Sequence, residues 1–355
     1  MDALLPIIPF VIAIAALIIV HELGHFLAAK ISRIKVEEFG IGFPPRLARL
    51  FKWGETQFTL NWIPLGGFVR PAGETDTSVG GGFSAANPWA RLFVYVSGPL
   101  MNLLTALLIY TFIFLQLGKP DISRVEIMDV STNSPAFSAG LEAGDIVLSV
   151  NGEPVDSSEE LRSLIYANLG QAIEVSYLRN GETFTGSLTP RDPAPADGAI
   201  GIAMGHPLIP INPLESVVAG GQAIYEQSSA LIALPGRMIR GEVSADEGRL
   251  VGYKGMYDIY TEVREADSSP DSNLPAGINT LSFFASISVS LGLLNLLPVP
   301  ALDGGRILFT LPEILFKRRI PQSYENFVNA VGLALLLLLI VYINLQDFLN
   351  PVVLP

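Results

Sequence analysis

The segment Val20-His21-Glu22-Leu23-Gly24-His25 closes the uncharged run Ala3–Val20 and decides how the rest of the chain is read. Apart from Glu22 and the two histidines, no ionisable side chain occurs between Ala3 and Ala29, a length that crosses a bilayer as a helix. Side chains four apart share a helix face, so His21 and His25 have the spacing of two imidazole ligands for one zinc ion. Glu22 lies beside the first of them, placed to act as general base on a metal-activated water. The competing reading is interfacial, with the histidines where the helix leaves the lipid and Glu22 reaching for water. Depth opposes it: at about 1.5 Å per residue, His21 lies roughly 13 Å deeper than Lys30, the first cation. Ionisable groups at that depth are costly and mark a function.

Composition extends the reading to the whole chain. Half of the 355 residues are hydrophobic and 16% are charged, with a mean hydropathy of +0.44, outside the soluble range. Four stretches are long and apolar enough to span: Ala3–Val20 continuing into the histidine segment, Leu92–Leu117, a stretch ending near Leu302 with its core at Leu281–Leu297, and Asn326–Gln346. Leu333–Ile343 has no polar face at helical period, which excludes a buried helix of a soluble domain. Cations gather between the first and second spans (Lys30, Arg33, Lys35, Arg46, Arg49, Lys52, Arg70, Arg91) and after the third (Arg306, Lys317, Arg318, Arg319). The positive-inside rule puts these segments in the cytoplasm, and the long acidic segment and both termini outside. The net charge of −12 therefore belongs to an exported domain, and no basic patch points to nucleic acid. No cysteine is present, so that domain folds on its own core. The first span lacks a basic flank before it and carries the candidate chemistry, so it reads as a retained span and not a cleaved signal.

Between the first two spans, Phe58–Val69 alternates apolar and polar residues with Pro and Gly punctuation, the pattern of a small hairpin or sheet. Lipid cannot satisfy an open strand edge, so such a sheet enters the membrane where it lines a cavity, and its edge can accept an extended peptide. In the second span, Gly98 permits close helix approach and Asn102 can bond to a neighbouring helix. Residues 122–190 run from the turn at Ser134-Pro135 through strand Ile146–Val150, an Asn151-Gly152 turn, a helix at Ser158–Ala167 and paired strands about Asn180-Gly181. This stretch resembles a bacterial PDZ domain, which either takes a peptide ligand at its sheet edge or acts as a filter. Residues 191–275 then read as a Pro- and Asp-rich linker and an amphipathic helical region, Glu215–Arg240. Two imidazoles leave zinc in need of a third protein ligand, and Asp303, where prolines unwind the end of the third span, is the candidate.

Taken together, His21-Glu22-Leu23-Gly24-His25, Pro64-Leu65-Gly66-Gly67, Gly98-Pro99 with Asn102, one PDZ-like stretch, and Asn295-x-x-Pro298-x-Pro300-x-x-Asp303-Gly304 resemble the site-2 protease family of intramembrane zinc metalloproteases, over nearly the whole chain. The resemblance implies a polytopic α-helical membrane protein with four transmembrane helices, a small membrane-associated β-loop and an inserted extracytoplasmic PDZ domain. Its expected parts are residues 1–121, 122–190, 191–275 and 276–355. It implies one Zn2+ held by His21, His25 and Asp303, Glu22 as catalytic base, and substrate contacts at Asn295 and Pro64, Leu65, Gly66 and Gly67. It also implies single-pass transmembrane substrates, such as anti-sigma factors or remnant signal peptides, in the bacterial inner membrane. Val251–Met256 departs from the family pattern, where many relatives carry a Gly-Pro pair. A non-catalytic scaffold predicts decay of at least one of His21, Glu22, His25 and Asp303, and all four are present. A zinc transporter predicts ionisable residues along several spans, whereas here they cluster at one depth in two.

Overall fold

The computed structural model describes residues 6–351 except 75, 77, 196–197, 245–247 and 270–273, and leaves the Leu65 side chain undescribed. In chain order, helix α1 (Ile7–Ile31) leads into strands β1 (Val36–Trp53) and β2 (Thr56–Pro71) and helix α2 (Pro88–Leu117). Next come β3 (Lys119–Pro120), β4 (Val125–Val130), α3 (Pro135–Ser138), β5 (Ile146–Val150), β6 (Glu153–Pro154) and α4 (Ser158–Ala167). Strands β7 (Ile173–Arg179), β8 (Glu182–Leu188), β9 (Ile202–Gly205) and β10 (Leu208–Ile209) follow. Helices α5 (Pro213–Ile239), α6 (Tyr253–Ser268), α7 (Ile278–Leu296), α8 (Asp303–Phe316) and α9 (Gln322–Leu349) complete the chain. Two compact units result, one from the chain up to Ile113 and from Pro213 on, the other from Phe114–Asn212.

In the first unit, α1, α2, α7 and α9 are the helices, among the described residues, long and apolar enough to cross a membrane. Of the small hairpin or sheet expected after the first span, the structure forms a sheet, because both of its long strands fold back on themselves. Glu38–Ile41 pair with Gln57–Leu60 on one side and with Gly67–Arg70 on the other, while Arg46–Trp53 pair with Thr56–Asn61. Gly67–Pro71 is thus an edge segment. Phe26 of α1 anchors the sheet through Phe39 and Phe58, with ring centroids 5.6 Å away in each case. Inside the sheet, the buried Glu38 carboxylate accepts hydrogen bonds from Thr59, Arg46 and Arg70. Burial alone would raise this carboxyl; the Thr59 hydroxyl and the two guanidinium groups outweigh it and hold Glu38 below the usual carboxylate range.

Helix α1 crosses α2 where both backbones come close. A Cβ on Gly24 would fall 2.7 Å from Met101 Cγ and 2.8 Å from the Ser97 carbonyl carbon. Helix α6 occupies the stretch where the sequence departs from the family pattern. The Asp347 carboxylate of α9, fully buried, accepts from the backbone N–H groups of Gly252 at 2.8 Å and Gly255 at 3.0 Å, and from Arg249 at 2.7 Å. A buried carboxylate at a helix start satisfies N–H groups that have no partner within the helix. Helix α6 then packs Tyr260 against Phe10, Phe283 and Phe284.

The second unit holds a sheet in the order β8-β7-β5-β4-β9, over a core that includes Val125, Val147, Leu161, Ile165 and Val175. The Asn180-Gly181 turn has φ of +52° and +84°, the pair of positive values a tight hairpin demands. The unit exceeds the 122–190 stretch. Ala199 and Ile200 belong to its core and β9 forms the sheet edge beside β4, so the unit continues past the Pro- and Asp-rich segment Pro190–Gly198. At four residues, β9 is too short to show an alternating period in the sequence.

Candidate metal centre

Two elements bring the candidate ligands together. His21 and His25 project from one face of α1, and Asp303 is the first residue of α8. The Nε2 atoms of the two histidines stand 3.1 Å apart, and Asp303 Oδ2 lies 3.1 Å from His21 Nε2 and 3.3 Å from His25 Nε2. Ligand atoms around a tetrahedral zinc stand roughly 3.4 Å apart, close to the sides of this triangle. The donor set, two imidazole nitrogens and one carboxylate oxygen, fits zinc. Among the described residues this is the cluster of three or more such side chains able to hold a metal ion.

The route to Asp303 differs from the expectation that an unwound helix end frees its side chain. The backbone does break after α7, but Asp303 starts a new helix, and Leu302 precedes it in extended conformation. Before the break closes, Ala301 adopts φ of +73°, a left-handed conformation alanine rarely takes, and its N–H donates to Asn329 of α9 at 3.0 Å. A Cβ on Gly304 would fall 2.5 Å from the Leu296 carbonyl carbon, so glycine lets α8 start against the end of α7.

Helix α2 supplies the wall behind the histidines. His25 Nδ1–H donates to the Val94 carbonyl at 2.8 Å, which leaves Nε2 for the metal. Gly98 faces both rings: a Cβ there would fall 2.5 Å from His25 Cε1, 2.8 Å from His21 Nε2, and closer still to His25 Nε2. The sequence suggested close helix approach at Gly98; the structure shows that the approach is to the ligands themselves.

A cavity of about 430 Å³ opens on this triangle, lined among others by Glu22, Gly67, Phe68, Val69 and Asn295. The Glu22 carboxylate accepts a hydrogen bond from the Val69 N–H at 3.0 Å, so it rests against the edge segment of the sheet. Asn295 faces the cavity from the end of α7, its side-chain N–H donating to the Leu291 carbonyl at 2.9 Å. Of the remaining expected substrate contacts, Gly67 lines the cavity, Pro64 is exposed, Gly66 packs toward Ile18 and Phe43, and the Leu65 side chain lies outside the described residues. Tyr95, Glu74 and Arg306 also line the cavity; in the sequence Arg306 has a part only in the membrane orientation, and the other two are not singled out. Arg306 follows Asp303 by three positions on α8 and donates to Glu74 at 2.7 Å, a spacing legible in retrospect; Glu74 carries no local signal.

Comparison with known proteins places the whole chain among known sequences. The chain matches Peptidase family M50 over residues 9–339. A Clostridium perfringens protein named, provisionally, a zinc metalloprotease is 32% identical over 343 residues, spanning 96% of this chain and 98% of its own length. The regulator of sigma-W protease RasP of Bacillus subtilis is 26% identical over 424 residues, spanning 96% of this chain and 97% of its own. Among solved structures, the PDZ domain of an SdrC-like protein of Listeria monocytogenes is 23% identical, with a TM-score of 0.21, over 24% of this chain and 92% of that domain.

Proposed function

Because this chain belongs to Peptidase family M50, the site-2 proteases, and is a zinc metalloprotease, we propose that it hydrolyses peptide bonds within or near the transmembrane segments of single-pass membrane proteins at the centre built by His21, His25 and Asp303. The observation that carries this reading is the meeting, in one cavity, of three converging ligand atoms, the Glu22 carboxylate and an edge strand. In this reading His21, His25 and Asp303 hold one zinc ion per chain. Bound there, zinc supplies a Lewis acid for the scissile carbonyl and makes water more acidic.

The protein's own groups supply the rest. A transmembrane helix hides its peptide bonds in internal hydrogen bonds and must unwind before attack. The edge segment Gly67–Pro71 offers backbone partners to the unwound chain, which pairs there as an added strand. Asn295 contacts it from the opposite wall. Glu22 takes the proton from the attacking water and returns it to the leaving amine. Its hydrogen bond to the Val69 N–H fixes the base beside the strand edge, so the groups that hold the peptide also orient the base. The site faces the cytoplasm and the unit Phe114–Asn212 lies outside, as the distribution of cations supports. That unit acts as a PDZ domain, and a groove of about 490 Å³ lined by Arg162, Ile165 and Tyr166 of α4 and by Ile202 of β9 suits a peptide added at its edge. The substrates proposed are anti-sigma factors, after the sigma-W regulation in the Bacillus subtilis relative's name, or remnant signal peptides.

The test is cleavage of a tagged single-pass substrate in membranes by the wild type and by Glu22→Gln, with zinc content measured in both. Cleavage by the wild type alone, at equal zinc, supports the reading. Equal cleavage by both assigns the activity elsewhere.

A further inference from the structure

Asn102 of α2 is almost wholly buried, and its side-chain nitrogen stands 3.3 Å from His21 Nδ1. Its side-chain oxygen is also buried and, among the described residues, has no hydrogen-bond partner. An unsatisfied buried acceptor inside a helix bundle costs stability and calls for an explanation. The metal centre supplies one. An imidazole that gives Nε2 to a metal keeps its proton on Nδ1, as His25 does in donating to the Val94 carbonyl. With His21 in the same state, its Nδ1–H would face another N–H. A half-turn of the Asn102 amide exchanges two atoms of nearly equal size and removes both faults, because Nδ1–H then donates to the orphaned oxygen.

We propose that Asn102 is a positioning residue for the metal centre: its side-chain oxygen accepts from His21 Nδ1–H and so holds that ring with Nε2 toward the metal. The proposal rests on His21 being a ligand. The backbone that carries the amide is held as well, since the buried Ser288 of α7 donates to the Asn102 main-chain carbonyl at 2.8 Å. Helices α1, α2 and α7 thereby share one polar junction behind the site. Aspartate can accept from the His21 Nδ1–H as the amide oxygen does, and leucine, of similar size, cannot.

The experiment measures zinc affinity of the full-length protein by competition with a chelator for wild type, Asn102→Leu and Asn102→Asp, with melting temperatures to confirm folding. Nitrogen-15 imidazole spectra of the zinc-loaded proteins accompany it, and three histidines in the chain make them simple to assign. We expect Asn102→Leu to bind zinc roughly 10–100-fold more weakly and Asn102→Asp to stay within about threefold of wild type or to bind more tightly. The loaded wild type and Asn102→Asp should show a slowly exchanging His21 Nδ1–H that Asn102→Leu lacks. Equal affinity of wild type and Asn102→Leu overturns the proposal, as does an Asn102→Asp protein as weak as Asn102→Leu, which would reduce the contact to packing. Failure of the wild type itself to bind zinc overturns the site assignment along with it.

Discussion

Gly98→Ala tests how tightly α2 confines the metal centre. Carbon and nitrogen atoms settle near 3.5–4.0 Å, so a Cβ placed 2.5 Å from His25 Cε1 and 2.8 Å from His21 Nε2 demands movement of roughly 1 Å. The helix has little freedom to withdraw, because it is also held to α7, where Ser288 donates to the Asn102 main-chain carbonyl at 2.8 Å and a Cβ on Gly292 would fall 3.0 Å from the Pro99 carbonyl oxygen. The strain therefore falls on the imidazoles. Swinging the His25 ring away breaks its 2.8 Å bond to Val94 and spoils a ligand set that tolerates errors of about 0.2 Å. We expect zinc affinity to fall at least about 100-fold, equivalent to about 2.8 kcal/mol, and cleavage to fall with it. Overpacking should cost the fold about 1–3 kcal/mol, which leaves a folded, metal-poor protein. Zinc titration against a chromophoric chelator in detergent, beside a thermal melt, separates the two effects. Gly221→Ala on α5 is the control, since no heavy atom lies within 4 Å of a Cβ there. Wild-type zinc affinity in Gly98→Ala would refute the argument that these atoms define the site's back wall.

Two predictions concern the supports of the site. Asp347→Ala strips the start of α6 of its acceptor and leaves Arg249 without its ion-pair partner, so thermal melting in detergent should show a loss of about 3–5 kcal/mol; an unchanged melting temperature would mean that α6 is held by its aromatic contacts alone. Glu38 has a folded-state pKa below its unfolded value, so its contribution to stability is present above the ordinary carboxylate range and is lost as pH falls through the folded value. The stability gap between wild type and Glu38→Gln should therefore be widest near neutrality and narrow in acid, and a gap independent of pH would remove Glu38 from the sheet's energetics.

The catalytic half of the molecule was legible because its information is local. His21, Glu22 and His25 lie on one helix turn, where period alone fixes which side chains share a face. The four apolar helices were legible for a similar reason, since length and absence of charge suffice. Asp303 was located by need, as the third ligand the two histidines lack, yet its setting was not, because nothing in Pro298–Leu302 says that the chain restarts as a helix after a residue at positive φ. The folded-back sheet was half visible: alternation announced strands at Phe58–Val69, but which edge stays open depends on Glu38–Ile41 pairing on both sides, a long-range choice. The positions least legible are those whose meaning lies across a helix crossing. Gly98 and Asn102 read in sequence as ordinary packing residues of a membrane helix, and they became specific once the structure set them against two imidazoles 73 to 81 positions away. The proposed metal centre is thus written twice, once in a motif that carries its candidate ligands and once in the wall of α2, where a missing Cβ makes room for them and a buried amide oxygen stands beside one of them.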